Sequence, residues 1–131
     1  MFKKIMLSAL CIFAAASVVA VPRVRIDQSS KEAVVETFIR ATAYDDPEAM
    51  WAVLDPSLRQ LAINEAGSEA QAIKDFWAGF RQSCPSSQNE TFRQILRDPA
   101  QKREAINMML QQNGKWFIRK NGKWYINPLN K

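Results

Sequence analysis

Apolar positions recur at intervals of three and four through most of this chain and alternate only near its end. Val34, Val35, Phe38, Ile39 and Thr42 share one helical stripe, which predicts a first helix running to about Tyr44. Ser29-Ser30-Lys31-Glu32 ahead of it reads as a capping box, in which a serine hydroxyl takes an orphan backbone N–H and the glutamate reaches back. Asp46 with Pro47 then caps a second helix, "PEAMWAVL", carrying Met50, Val53 and Leu54. Asp55-Pro56 repeats that punctuation and opens a third helix with Leu58, Leu61 and Ala62 on its apolar side, stopped by Gly67. Ser68 and Gln71 cap "EAQAIKDFWAGFRQ", where Ile73, Phe76, Trp77 and Phe80 stand at i, i+3, i+4 and i+7.

Cys84-Pro85 and the polar "SSQN" break this pattern, because the residue before proline avoids helical geometry. "ETFRQILRD" is short, and Phe92, Ile95 and Leu96 suit one helical turn behind a Ser87–Glu90 box. Asp98-Pro99 is the third Asp-Pro start; it leads into "AQKREAINMMLQQ" with Ile106, Met109 and Leu110 as the buried face. Asn113-Gly114 is expected to end that helix in left-handed conformation.

The period then changes to two. "NGKWFIRKNGKWYINP" carries Asn-Gly-Lys-Trp twice, eight residues apart. The second Asn-Gly predicts a type I′ hairpin turn, which needs two consecutive residues at positive φ. A two-residue loop sets Lys120 opposite Lys123, Arg119 opposite Trp124, Ile118 opposite Tyr125 and Phe117 opposite Ile126. Alternation places Trp116, Ile118 and Tyr125 on one face and Phe117, Trp124 and Ile126 on the other. A lone hairpin is marginal in water, so it is expected to pack on the helices, with "VPRVRI" as the candidate for a neighbouring strand. The expected fold class is α+β: several short N-terminal and central helices packed on a small antiparallel sheet that includes a C-terminal β-hairpin.

Charge and cysteine content add a compartment. Lys3 and Lys4 precede an uncharged run from Ile5 to Val21 with small residues at its end, the pattern of a secretory leader, with Ala14/Ala16 or Val18/Ala20 at the cleavage positions. The rival expectation is an uncleaved anchor, and contact with a membrane is expected only through this leader. The chain divides into a signal peptide at 1–20, an extended segment at 21–28 and a single domain at 29–131, in a periplasmic or secreted protein. Cleavage at that site lowers the basic residues from 18 to 16 against 13 acids, a balance of +3 too small and too scattered for a nucleic-acid footprint. It also leaves Cys84 without an intramolecular disulfide partner, since Cys11 departs with the leader.

Candidate chemistry is sparse. The sequence has no histidine, which removes the commonest general base and the commonest metal ligand. Asp45, Asp46, Glu48 and Asp55 are the carboxylates that could act together, yet helix capping accounts for each. Four glycines are too few and too dispersed for a phosphate-cradling loop. The expectation is therefore a protein that is not an enzyme, with no catalytic residues, no metal and no cofactor. Aromatic side chains remain as ligand contacts: Phe38, Trp77, Phe80, Trp116, Trp124 and Tyr125, with Trp124 opposite Arg119 as a candidate cation–π pair.

Two resemblances bear on this. "NGKWYI" resembles part of the choline-binding cell-wall repeats, but those stack in series and here one hairpin stands alone. "SKEAVVETFIRATAYDDPEAMWAVLDPSLRQ", with the closing "NGKWYI" strand, resembles small exported proteins of the NTF2-like superfamily. That resemblance implies a curved antiparallel sheet wrapped on helices with a pocket between them, and strands in the region from Ser57 to Gln112 where the period predicts helix. It places no catalytic residue here, and the superfamily hosts several functions on one shape. The functional expectation is an exported, non-enzymatic binding or accessory protein with an apolar recess between helices and hairpin, taking a small apolar ligand. The alternative is an envelope adaptor that docks a protein through exposed aromatics such as Trp51 and Trp116.

Overall fold

The computed structural model describes residues 20–130, so the expected leader lies outside the described residues. Six helices and one hairpin follow in order: α1 (Lys31–Ala43), α2 (Pro47–Ala52), α3 (Pro56–Ala66), α4 (Glu69–Ser83), α5 (Asn89–Arg97), α6 (Pro99–Gln112), β1 (Phe117–Lys120) and β2 (Lys123–Ile126). The architecture is α+β, and the region from Ser57 to Gln112 is helical, as its period predicts. No helix among the described residues is long and apolar enough to cross a membrane.

Helix α1 is the axis of the molecule. Val34, Val35, Ile39, Ala41 and Ala43 are buried together with Thr37 and Thr42, a set that covers more than one stripe. Such a helix needs neighbours on several sides, and α2, α5, α6 and β2 all pack against it. The two threonines fit because each hydroxyl donates to a carbonyl one turn back, Thr37 to Ala33 and Thr42 to Phe38, both at 2.9 Å. Its N-cap is Ser30, whose hydroxyl accepts from Ala33 N–H at 3.0 Å. The expected Ser29–Glu32 pairing is corrected here: Ser29 donates instead to Asp27 Oδ1 at 2.6 Å, and Glu32 is exposed.

The Asp-Pro starts stand as read. Asp46, Asp55 and Asp98 each accept a backbone N–H in the first turn of α2, α3 and α6, with proline next in the chain. Ser68 caps α4 through Gln71 N–H, and Gly67 ends α3 at φ +91°. The stripe of α3 is rotated from the one expected. Leu61 is 64% exposed, while Ala62, Ile63 and Ala66 face Ala72, Ile73 and Phe76 of α4. This helix only half-buries one narrow side, so a leucine one position off that side stays in water.

The hairpin register is the expected one: Phe117 with Ile126, Ile118 with Tyr125, Arg119 with Trp124 and Lys120 with Lys123. Asn121 and Gly122 sit at φ +52° and +78°, the two left-handed residues of the turn. Phe117 and Ile126 are buried against Val34, Val35 and Val53. Three expectations change at this end. Asn113-Gly114 stops α6 without a left-handed residue: Asn113 has φ −130°, and Gly114 opens a 3₁₀ turn through Trp116. Strand alternation therefore never reaches Trp116, which packs with Trp124 against the same core rather than on the opposite face. The third neighbour of the sheet is also not "VPRVRI". Leu54 bridges Ile126 in parallel, with Ile126 N–H donating to Val53 at 2.7 Å and Asp55 N–H to Ile126 at 2.9 Å.

Candidate functional site

Residues 21–28 are extended but form a strap rather than a strand. Arg23 and Val24 N–H donate to Asp46 Oδ2 at 2.7 and 2.8 Å, and Asp27 N–H donates to the Thr37 hydroxyl at 3.2 Å. At the far end Gln28 exchanges two bonds with Trp124, its carbonyl accepting from the backbone N–H and its side-chain amide donating to the carbonyl, both at 3.0 Å. Val24 and Ile26 face the core between these ties. In an extended segment residues two apart share a side, so Arg23 and Arg25 both lie outward.

The turn after α1 fixes the strap's position. Asp45 has φ +55° and follows the C-cap Tyr44; Asp46 N–H donates to Ala41 at 2.8 Å and Asp45 N–H to Thr42 at 3.4 Å, the two bonds of a Schellman turn. Asp45 is thus a helix terminator and not an N-cap, contrary to the sequence expectation. Three guanidinium groups close on the carbonyls of this turn. Arg23 donates to Asp45 at 2.9 Å, Arg81 to Thr42 at 2.9 Å and Arg93 to Ala43 at 2.9 Å. The negative end of a helix favours cations, and the Arg93 bond gives the last-turn Ala43 carbonyl a donor. Arg81 also pairs with Asp45 at 3.1 Å and stacks on Trp77 with its guanidinium 4.7 Å from the ring centroid.

Between the strap and α1 lies a groove of about 680 Å³, walled by Arg23, Arg25 and Asp27 on one side and Glu36, Arg40 and Tyr44 on the other. Its size suits a small molecule. Each acid on its walls is engaged through at least one oxygen. Asp46 holds the strap and caps α2 through Ala49 N–H. Asp27 takes both the N–H and the hydroxyl of Ser29, and the hydroxyl bond holds its carboxyl below the usual range. Glu36 accepts from Lys102 at 2.9 Å and Arg40 Nε at 3.3 Å; the lysine bond outweighs its partial burial and lowers its pKa. The bases are less committed. Arg25 has no hydrogen-bond partner among the described residues, and Arg40 is bonded only through Nε. Tyr44 is half exposed, at 48%.

The six aromatic candidates do not meet in one place. Phe38, Trp77 and Phe80 do cluster: the Phe38 and Phe80 rings meet edge-on at 5.6 Å, and Trp77 and Phe80 lie 5.4 Å apart, over a core of Ala41, Ala49 and Met50. Trp77 also lines a smaller groove of about 380 Å³ between α2 and α4, with Ile73 and Ala70. Trp116 and Trp124 belong to the other core, and Tyr125 stands opposite Ile118 in the hairpin. The face of Trp124 takes the Lys31 ammonium, 5.2 Å from the centroid, so the partner is Lys31 in place of the expected Arg119. Trp51, expected as an exposed anchor, is 4% exposed because α2 is covered by α4; its ring meets Phe76 edge-on at 6.2 Å.

Arg25, Arg40 and Tyr44 are the groove residues that aromatic content did not point to. Their signal was the alternation "RVR" in an extended segment, and Arg40 and Tyr44 at i, i+4 on α1. Among the described residues no group of three or more His, Cys, Asp or Glu side chains could hold a metal. No family model, no curated protein and no solved structure matches the chain, so the resemblance to the NTF2-like superfamily rests on the residues that carry it.

Proposed function

We propose that this is an exported, non-enzymatic binding or accessory protein whose ligand lies in the groove between the strap and α1. One observation carries the reading: among the groove's carboxylate oxygens most are taken by internal bonds, with Asp27 Oδ2 left over, while Arg25 and the terminal nitrogens of Arg40 keep a larger number of donors without internal hydrogen-bond partners. Surface arginines normally lie free, but here both border a concave site whose floor is fixed by buried Asp46. The expected recess behind the hairpin is a weaker place for a ligand, because Phe117 and Ile126 fill the hairpin's inner side at 6% and 1% exposure. A sequence without histidine, and carboxylates occupied in caps and ion pairs, favour binding over catalysis.

The test is native mass spectrometry of protein recovered from the compartment to which it is exported. The expected result is a chain lacking its first 16 to 20 residues that carries a small-molecule adduct lost in Arg25→Ala. A mature chain recovered only in stoichiometric complex with a second protein, with no small adduct, refutes the reading and leaves the adaptor.

A further inference from the structure

We infer that the strap–α1 groove selects a small organic anion with one carboxylate and a flat apolar body. This rests on the groove being the ligand site and names the class of ligand it takes.

Arg25 offers the full guanidinium fork, and Arg40 offers its terminal nitrogens, since only Nε is bonded, to Glu36. The Arg23 guanidinium is spent on the carbonyls of Tyr44 and Asp45. On the acceptor side Asp27 Oδ1 is bonded to Ser29 and both oxygens of Glu36 to Lys102 and Arg40, which leaves Asp27 Oδ2 as the carboxylate oxygen without a bond. Asp46 is buried beneath the strap. The unspent capacity of the walls is therefore mainly donor, and guanidinium groups match a carboxylate in two parallel bonds.

Formal charge sets the upper limit. Arg23, Arg25 and Arg40 equal Asp27, Glu36 and Asp46 in number among the lining residues, and the Lys102 ammonium on Glu36 adds one positive charge to that balance. A groove with one cation in excess and surplus donors accommodates a monoanion. A nucleic acid or a polyphosphate would bring several charges against three fixed carboxylates, and such ligands need clustered, unbalanced cations. For the apolar part of the ligand the groove offers the half-exposed ring of Tyr44 and the outer edge of the half-buried Val24. An aromatic ring stacked there gains area burial and edge or face contacts beyond it.

The probe is 4-phenylbutyrate, titrated into the mature full-length protein and followed by amide chemical shifts, with the neutral 4-phenylbutyramide and inorganic phosphate as comparisons. The carboxylate is expected to shift residues of the strap and of α1, and the amide is expected to bind at least about tenfold more weakly, as loss of a charge-assisted bond requires. Arg25→Ala should lower affinity by about tenfold or more and Arg25→Lys by less, because a lysine keeps charge without the fork. Arg119→Ala, at an exposed hairpin arginine that does not line the groove, should leave binding unchanged. Equal affinity for amide and carboxylate, tighter binding of phosphate, or an Arg25→Ala variant that binds as wild type overturns the inference. A neutral molecule found in the purified protein would sink this assignment while leaving the groove as the ligand site. An empty groove with a bound protein partner would sink both.

Discussion

Removing the Asp55 carboxylate should loosen the hairpin from the helices. This one side chain joins three parts of the fold: it caps α3 through Ser57 N–H at 3.1 Å, takes the Lys120 ammonium from β1 at 2.7 Å and accepts from the Asn127 amide at 2.9 Å. The cap is worth about 1 kcal/mol. The Asn127 bond, made to a charged acceptor that is 4% exposed, adds about 1.5 kcal/mol. Lys120 is 41% exposed, so its ion pair is screened and contributes about 0.5 kcal/mol, nearer a surface pair than a buried one. Asp55→Ala should therefore cost about 3 kcal/mol, and Asp55→Asn about 1–2 kcal/mol because a carbonyl oxygen remains to cap Ser57. The carboxyl's burial pulls its pKa up, but the bonds from Lys120, Ser57 N–H and Asn127 together hold it below the usual 3.8. A depressed folded-state pKa gives stability that is present above the unfolded value and lost as pH falls through the folded value. The stability gap between wild type and Asp55→Asn should thus be full at pH 7 and close on acidification below 3.8. Urea unfolding followed by tryptophan fluorescence across that range measures it. A cost below 1 kcal/mol for Asp55→Ala, or a gap to Asp55→Asn that ignores pH, would refute the reasoning.

Three further substitutions probe separate elements by the same unfolding assay. Gly122→Val should cost at least about 1 kcal/mol, since φ is +78° and a β-branched residue resists that region; a neutral result would mean the turn can be rebuilt. Gly79→Ala should stabilise α4 by about 0.5–1 kcal/mol, because the site is exposed, φ is not positive and an added Cβ meets nothing within 4 Å; a loss would contradict that free space. Trp51→Phe should cost less than about 2 kcal/mol despite full burial, because the indole Nε1–H has no acceptor and its removal relieves an unsatisfied donor; a loss above about 3 kcal/mol would show that the site cannot contract around the smaller ring.

Local chemistry is what the sequence made readable. The Asp-Pro starts, Gly67 and the Asn121-Gly122 turn depend on residues a few positions apart, so their elements and the hairpin register could be read from the chain alone. What failed depended on neighbours distant in sequence. The buried side of α3 was set by where α4 lies, and this left Leu61 outside. Trp116 escaped strand alternation because a 3₁₀ turn intervened between α6 and β1. The arginine contacts to the end of α1 span 22 to 50 residues, beyond any periodicity in a helix or strand. Aromatic content pointed to the core for the same reason: at helical spacing, Phe38, Trp77 and Phe80 serve packing before they serve a ligand.

The turn from Tyr44 to Asp46 connects that packing to the groove. Asp45 in left-handed conformation ends α1 and offers its carboxylate to Arg81 of α4. Asp46, one residue on, starts α2 and turns its other carboxylate oxygen to the backbone of Arg23 and Val24. Once those two N–H groups are fixed, the geometry of an extended chain leaves no choice about the next side chains: Val24 enters the core and Arg25 returns to the side of Arg23. Arg23 then reaches the α1 terminus and is consumed there, while Arg25 lies too far along the strap to share that role and has no described partner. The uncommitted cation of the groove is in this sense a product of the core. It follows that Asp46, though it offers the groove no free acceptor, governs where the groove's charge stands. A change at Asp46 would free the Arg23–Val24 end of the strap and shift the groove's charge, while the Thr37 and Gln28 ties hold the other end.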